Sequence, residues 1–259
     1  MKICNTNRTA FYNVLNIVFK NLEIKPVIVE IGVLRGDNAA SMYKIMSPKK
    51  MVLIDTWSAI VTNDAFTPFQ EIPPWLSTSE AHNVYYGGPI KDQQTFEDLY
   101  QQCIAKFVGY ENVIIIREDS INAIKKITHE GTEKFNVVYI DANHQYEWVL
   151  RDLMYWHDYV AIDGALVLND CCFSLNGEKQ NLGVLEAVSS FIKRTKFIPV
   201  LLTNTDWSDI VLVRKDSTIS KMIDQIVLHS NIPWVEIPNS LLAASRIVYG
   251  KNRTNISFI

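Results

Sequence analysis

The feature that most constrains this chain is a repeated unit: a short apolar run stops at a glycine or a carboxylate, and a helical pattern follows. Val27-Ile-Val-Glu-Ile31 stops at Gly32, and Met51-Val-Leu-Ile54 stops at Asp55. Val113 to Ile116 leads into Arg117-Glu-Asp119, Phe135 to Ile140 stops at Asp141, and Gly164 to Leu168 stops at Asn169-Asp170. The β-branched residues in these runs suit strands buried on both faces. Strands alternating with helices predict an α/β fold, a mostly parallel sheet with helices on both faces. Ligands of such sheets bind outside the carboxyl ends of the strands, at the switch point. One polar residue at one strand end says little. Acidic groups after four successive strands, together with a glycine turn, define a site.

Gly32 and Gly36 lack a Cβ, so the backbone between them can turn tightly and admit a ligand closely. Asp37 and Asn38 are candidate caps for the helix that follows, whose N-terminus is polar and open. Glu30 is a carboxylate inside an apolar strand and needs a partner. The polar groups of a ligand would supply one, and so would a neighbouring backbone N–H. Asp55 follows the glycine turn by about 20 residues, the position from which nucleotide-binding α/β folds hold ribose hydroxyls. Capping a local turn is the other reading.

Helical spacing of Phe11, Val14, Leu15, Val18 and Leu22 predicts a helix before the first strand. Further helices are predicted from Ala39 to Met46, across Phe96 to Phe107, from Ile121 to Ile127 with Ser120 as N-cap and Gly131 as terminator, from Tyr146 to Trp156 and from Val184 to Lys193. Ser58 to Pro89 reads as irregular, with Pro68, Pro73, Pro74, Gly87, Gly88 and Pro89 among Trp75, Tyr85 and Tyr86. So long an excursion is either a functional lid or disordered; its aromatics favour an ordered lid, which they would use to line an acceptor pocket or to pack the loop onto the domain. Phe197–Leu202 and Ile210–Val213 predict an antiparallel hairpin turned at Asn204, Asp206 and Ser208. The expected organisation is a core domain over 1–214 with a lid insertion at about 58–111, and a helical extension over 215–259 packed on it. The extension carries Ile219, Met222, Ile223, Ile226 and Val227 on one helix face and a second apolar stretch from Leu241 to Val248. Such helices either pack within one chain or pair two chains as a homodimer.

Composition narrows the partners. With 259 residues, 48% hydrophobic and 20% charged, a large core is expected. A net charge of −3 gives no basic surface for nucleic acid. Four cysteines without a CxxC argue against a disulfide framework or a structural zinc site, and Cys171-Cys172 reads as a pair of buried thiols. No apolar run is long enough for a membrane span, and Met1 to Arg8 lacks the apolar core of a signal peptide. A cytoplasmic protein with a small-molecule partner is expected.

The Glu30-x-Gly-x-x-x-Gly36 turn, Asp55, Asp119-Ser120 and the closing hairpin together resemble a class I S-adenosylmethionine-dependent methyltransferase, over roughly Val27 to Arg214. The resemblance implies a Rossmann-like, seven-stranded sheet with an antiparallel last strand, and S-adenosylmethionine as cofactor. It places Glu30, Gly32 and Gly36 against the methionine and ribose parts of that cofactor. Asp55, with Thr56 and Trp57 beside it, would meet the ribose hydroxyls, Asp119 and Ser120 the adenine side, and Asp141 the site's centre. More closely, Asp141-Ala-Asn-His-Gln-Tyr146, then Asp152 and Gly164 to Asp170, resembles the small-molecule subfamily with a D-x-x-H-x-Y motif, which includes macrocin O-methyltransferase and cephalosporin-biosynthesis relatives. That implies a hydroxyl of a metabolite or sugar as methyl acceptor.

The physics agrees. A dinucleotide site expects G-x-G-x-x-G so that a pyrophosphate can approach the helix N-terminus, whereas this turn has only Gly32 and Gly36. A sulfonium cation without phosphate suits an acid-lined crevice. Methyl transfer to a hydroxyl needs alignment and removal of a proton. His144, three residues beyond Asp141, is the candidate base, since its ordinary pKa suits the task; holding the loop by a hydrogen bond is its alternative role. A Mg²⁺ ion on Asp141, Asn169 and Asp170 is a second way to acidify a hydroxyl, although the order Asn169-Asp170 departs from the Asp-Asp or Asp-Asn of metal-dependent relatives. Two rivals stand beside this reading: an NAD(P)-dependent oxidoreductase on a similar fold, and a non-catalytic cofactor-binding module.

Overall fold

In the computed structural model, which describes residues 1–66, 80–127, 133–178, 180–251 and 254–258, the alternating pattern forms one large twisted sheet between two helical layers. In chain order the elements are β1 (Lys2–Cys4), α1 (Arg8–Asn21), β2 (Val27–Ile31), α2 (Asp37–Met46), β3 (Lys50–Asp55), α3 (Ala59–Phe66), α4 (Glu80–Tyr86), α5 (Gln93–Lys106), β4 (Val113–Arg117), α6 (Ser120–Ile127) and β5 (Phe135–Ile140). They continue with α7 (Tyr146–Trp156), β6 (Val160–Leu168), α8 (Leu175–Glu178), α9 (Val184–Ile192), β7 (Phe197–Thr203), β8 (Ile210–Arg214), α10 (Thr218–Leu228), β9 (Trp234–Glu236), β10 (Arg246–Tyr249) and β11 (Thr254–Ser257).

The sheet runs β4-β3-β2-β5-β6-β8-β7-β1-β9. It is parallel from β4 to β6, and β8 inserts antiparallel between β6 and β7. The chain builds outward from β2 through β3 to β4, then returns to lay β5 on the other side of β2. The switch point therefore falls between β2 and β5.

Nine strands replace the expected seven. β2 to β8 are the seven that the sequence indicated, and β1 and β9 extend the sheet beyond β7. Each added strand is three residues long, too short for alternation to register. The tail also departs from the helical extension expected. After α10, Pro233 and Pro238 bracket β9 and break any helix. The apolar stretch at Leu241 to Val248 divides between a 3₁₀ turn, Asn239–Ala244, and β10, which pairs with β11 in a separate two-stranded sheet. The segment read as irregular contains α3 and α4; Pro68, Pro73, Pro74 and Trp75 of the expected lid, and Gly131, lie outside the described residues.

Strand residues alternate between two cores. One face packs Ile28, Leu53, Tyr139 and Val211 against α1, α2, α5 and α10, through Phe11, Leu15, Met42, Phe96 and Ile223. The other packs Val29, Val138, Leu166 and Leu212 against α6, α7 and α9, through Ala123, Leu153, Trp156 and Phe191. All four cysteines are free and buried. Among the described residues no helix is long and apolar enough to cross a membrane.

Because Ile219, Ile223 and Val227 of α10 are buried in the first core, the tail belongs to the cooperative unit. Ile223→Ala should destabilise the whole domain by about 2–5 kcal/mol. Urea unfolding would show one transition with a lower midpoint; a wild-type midpoint, or a separate early transition, would contradict this.

Candidate active site

The site is built from backbone inward. Gly32 and Gly36 both adopt positive φ, +84° and +81°. A Cβ on Gly32 would lie 2.1 Å from the carbonyl oxygen of Asp141. The first glycine thus serves the close approach of β2 and β5 at the switch point, where the Gly32 N–H donates to Ile54 O and the Asp141 N–H to Ile31 O, each at 2.8 Å. Gly36 heads α2 as its N-cap, packed on Phe107 and Cys103.

Asp55 ties the turn down. Its Oδ2 accepts the N–H groups of Val33 and Leu34 at 2.8 and 2.9 Å, and its Oδ1 accepts the Trp57 N–H at 2.9 Å. A carboxylate offers about four lone-pair sites, so three local bonds leave acceptor capacity toward the crevice. Trp57 is fully buried with φ +41°, its Nε1–H donates to Leu34 O at 2.8 Å, and its ring packs on Tyr100. It shapes the turn and does not line the crevice. Thr56 is partly exposed beside it.

The expected caps behave differently. Asp37 is the first residue of α2 and pairs with Lys106 at 3.1 Å. Asn38 turns back into the sheet, its Nδ2 donating to Glu30 Oε1 at 2.8 Å while its Oδ1 accepts from the Tyr12 hydroxyl at 2.5 Å. Glu30 is 1% exposed, and its Oε2 has no hydrogen-bond partner among the described residues. Burial pushes its carboxyl well above the usual carboxylate range, against the Asn38 bond.

At the far side of the turn, Asp119 caps α6. Its Oδ1 accepts from Ile121 N and Asn122 N at 3.0 and 3.1 Å. Partial burial opposes ionisation, but these bonds outweigh it and hold the carboxyl below its ordinary value. Ser120 is buried, and its hydroxyl donates to Asp152 Oδ1 at 2.6 Å. These two residues mark the edge of the crevice through α6 rather than by free polar groups.

The centre lies over β5 and β6. His144 Nε2 stands 3.2 Å from Asp141 Oδ1 and 3.5 Å from Asp170 Oδ2, in ion-pair range of both and aligned as a hydrogen bond to neither. The loop is fixed from behind, with the Gly183 N–H on His144 O at 2.7 Å and no room for a Cβ on Gly183 beside Tyr146. Burial lowers the His144 pKa, and Asp170 and Asp141 raise it more, so the net shift is upward. Burial also pushes Asp170 up, to about 6. Asp141 is held below its ordinary value, because the imidazole, Arg8 and Asn169 outweigh its burial.

Sequence reasoning missed Arg8, the first residue of α1. Its Nη2 donates to Asn169 Oδ1 at 2.5 Å, its Nη1 lies 3.4 Å from Asp141 Oδ2, and its Nε lies 3.4 Å from Asp209 Oδ2. Asp209 and Tyr139 were missed as well; the Tyr139 hydroxyl donates to Asp209 Oδ1 at 2.5 Å. No local pattern marks these residues, since they come from separate elements.

The expected Mg²⁺ site is not supported. Asp141, Asn169 and Asp170 do converge, but Asn169 Nδ2 donates to Asp141 Oδ1 at 3.1 Å and a guanidinium already takes Asn169 Oδ1. An amide nitrogen turned inward cannot ligate a hard cation, and among the described residues no group of three or more His, Cys, Asp and Glu is arranged to hold a metal. The glycine-turn crevice does fit a cationic, phosphate-free ligand. The unpartnered Glu30 Oε2 and the spare acceptor capacity of Asp55 are the groups that a sulfonium compound bearing ribose and amino groups would engage.

The α/β architecture is Rossmann-like, with an acid-lined crevice at its switch point. Residues 29–171, more than half of the chain, match the family model described as "Methyltransferase domain". The chain belongs to this methyltransferase family, and its chemistry is S-adenosylmethionine-dependent methyl transfer. No curated protein matches it. Among solved structures, the O-methyltransferase TomG from Streptomyces achromogenes, involved in tomaymycin synthesis and solved with SAM, aligns with a TM-score of 0.52 at 10% identity, covering 79% of each chain. Cofactor-bound Rv0187 from MTB aligns with a TM-score of 0.51 at 9% identity, covering 80% of this chain and 81% of that one. These likenesses concern the fold, including the expected Rossmann-like sheet.

Gly32→Ala combines a positive-φ cost with a backbone overlap. It should destabilise the protein by about 3 kcal/mol or more and weaken cofactor binding, read by urea unfolding and calorimetry. Wild-type values for both would show that β2 and β5 do not need this contact.

Proposed function

We propose that the enzyme transfers a methyl group to a hydroxyl of a small polar acceptor, with His144 as the base. The observation that carries this reading is the placement of His144 between Asp141 and Asp170, beside the acid-lined glycine turn. Bound S-adenosylmethionine would supply an electrophilic methyl on a sulfonium. Glu30, Asp55, the Gly32–Gly36 turn and Asp141 would hold it, with Thr56, Asp119 and Ser120 toward the ribose and adenine side.

With Nε2 buried against Asp141 and Asp170, His144 takes the acceptor proton at Nδ1 as the acceptor oxygen attacks. Asp141 and Asp170 stabilise the imidazolium that forms, so the proton is held without a second transfer. On this reading the acceptor side is a cavity of about 460 Å³ whose lining includes Asn5, Asn7, Arg8, Asn204, Trp207 and Asp209. Amide walls and one exposed indole face suit a neutral, hydroxyl-bearing small molecule better than an anion. Arg35 donates to the Tyr85 carbonyl oxygen, which ties α4 to the glycine turn and supports a lid role for that helix.

Two measurements test the reading. Calorimetry with S-adenosylmethionine, its demethylated product and NAD⁺ should show binding of the adenosyl ligands only. Because burial favours the neutral form of Glu30 and a cation beside Oε2 would favour its ionised form, binding should be accompanied by proton release, seen as a dependence of the heat on the buffer's ionisation enthalpy. Glu30→Gln should abolish that dependence. Binding of NAD⁺ alone would favour the oxidoreductase, and binding of nothing the non-catalytic module.

The second is methyl transfer from labelled cofactor to a panel of small hydroxylated acceptors. Only neutral His144 accepts a proton, so the rate should rise with pH through its upward-shifted pKa. His144→Asn should lower turnover by about 10²- to 10⁴-fold with cofactor affinity unchanged. A pH-independent rate in wild type with full activity in the variant would remove His144 from the mechanism.

A further inference from the structure

Three oxygens from three strand ends meet one guanidinium in this site: Asn169 Oδ1, Asp141 Oδ2 and Asp209 Oδ2. Arg8 is an unexpected residue for its place in the fold. It opens α1, where the helix dipole presents its positive end and disfavours a cation, and the first turn of that helix holds no acidic residue to offset it. The compensation comes from across the sheet edge, where burial makes uncompensated carboxylates costly. The guanidinium also faces the ring of Tyr139, with Cζ 5.9 Å from its centroid. Asn7 fixes the start of the helix by accepting the Thr9 N–H at 3.1 Å.

We propose that Arg8 is a built-in cation: its guanidinium occupies the place between Asp141 and Asn169 that a divalent ion would take, and so makes the strand-end cluster refuse such an ion. The orientation of Asn169 supports this. Its carbonyl oxygen points to Arg8 and its amide nitrogen to Asp141. A dication at the same point would meet these same oxygens, drawn in to about 2.0–2.6 Å, and could not share them with the N–H donors of a guanidinium. Guanidinium cannot be deprotonated in a protein and satisfies planar acceptors in fixed directions. It therefore gives Asp141 a permanent partner on Oδ2 while Oδ1 faces His144. Arg8 is a positioning residue, acting on the base through Asp141. Asp209 and Asp170 are further acidic groups at this cluster, and they would draw a cation in if Arg8 were absent.

The test is Mn²⁺ binding, followed by electron paramagnetic resonance on full-length wild type, Arg8→Ala, and the double variant Arg8→Ala with Asp141→Asn. Arg8→Ala should bind about one Mn²⁺ per chain, at least about tenfold tighter than wild type, and the double variant should lose it. Arg8→Lys, which keeps a cation, should bind like wild type. Circular dichroism checks folding; if Arg8→Ala does not fold, Arg8→Gln removes the charge while keeping a donor for Asn169. Calorimetry of S-adenosylmethionine on the same samples separates loss of the cofactor site from a change at Arg8. Equal Mn²⁺ affinity in wild type and the charge-removed variant, whether tight or undetectable, would overturn the proposal.

Discussion

The structure depends on keeping several carboxyl groups at one edge of a buried sheet. Removing a carboxylate from water costs several kcal/mol unless charge or hydrogen bonds replace the lost hydration. Here each group is answered differently. Asp55 and Asp119 accept hydrogen bonds from backbone N–H groups. Asp141 is stabilised as an anion by the imidazole and the guanidinium beside it. Burial drives Asp170 up to about 6 and Asp209 up to about 7, while Glu30 is pushed well above its ordinary range. One edge thus holds an anion stabilised by its neighbours beside carboxyls whose burial favours the protonated form. Such an edge can take up a cationic ligand by releasing protons instead of by rearranging its backbone.

The backbone at that edge is held hard. Leu34, Trp57 and Asp170 have φ of 49°, 41° and 58°, although none is glycine. Each such conformation costs of order 1–3 kcal/mol and persists only when its surroundings over-determine it. For Leu34 and Trp57 the constraint is visible: Asp55 accepts both N–H groups, and the Trp57 indole closes the loop on Leu34 O. For Asp170, the next residue's N–H donates to Ser208 O at 2.7 Å and that of Cys172 to Asp170 O at 2.8 Å, which locks the turn. The strain sits where side chains must leave the strands in directions that regular geometry does not offer.

Much of this was legible in the sequence because it is local. Strand-then-helix periodicity located β2 to β8 and their helices, and the acidic strand ends located the edge. The mostly parallel sheet followed from the alternation, and the hairpin β7–β8 from its turn residues. What was not legible is what arises only in three dimensions. Gly32 reads as room for a ligand, yet its missing Cβ makes room for the backbone of Asp141. Asn38 reads as a helix cap, yet it reaches back to Glu30. Ser120 reads as the cap of its helix, yet Asp119 takes that place and the Ser120 hydroxyl bonds Asp152. Arg8, Tyr139 and Asp209 carry no motif, because their meeting depends on where α1 starts and where β8 inserts. β1 and β9 are too short for any periodicity to show.

Those two short strands bear on the site through Arg8. α1 begins four residues after β1 ends, so the placement of β1 sets where the guanidinium can reach. β1 lies between β7 and β9, in register with Leu201–Thr203 on one side and Trp234–Glu236 on the other. Lys2 secures that position. It is 4% exposed, lies over the Trp234 ring with Nζ 4.7 Å from the centroid, and pairs with Asp224 and Glu236. The first residue adds to the clamp, its ammonium donating to Ile237 O and Asn239 Oδ1 at 3.1 and 2.9 Å. The C-terminal segment is thus more than a cover for the first core. By pairing with β1 it fixes the N-terminal strand, the start of α1, and with it the cation on which Asp141 and Asn169 rest.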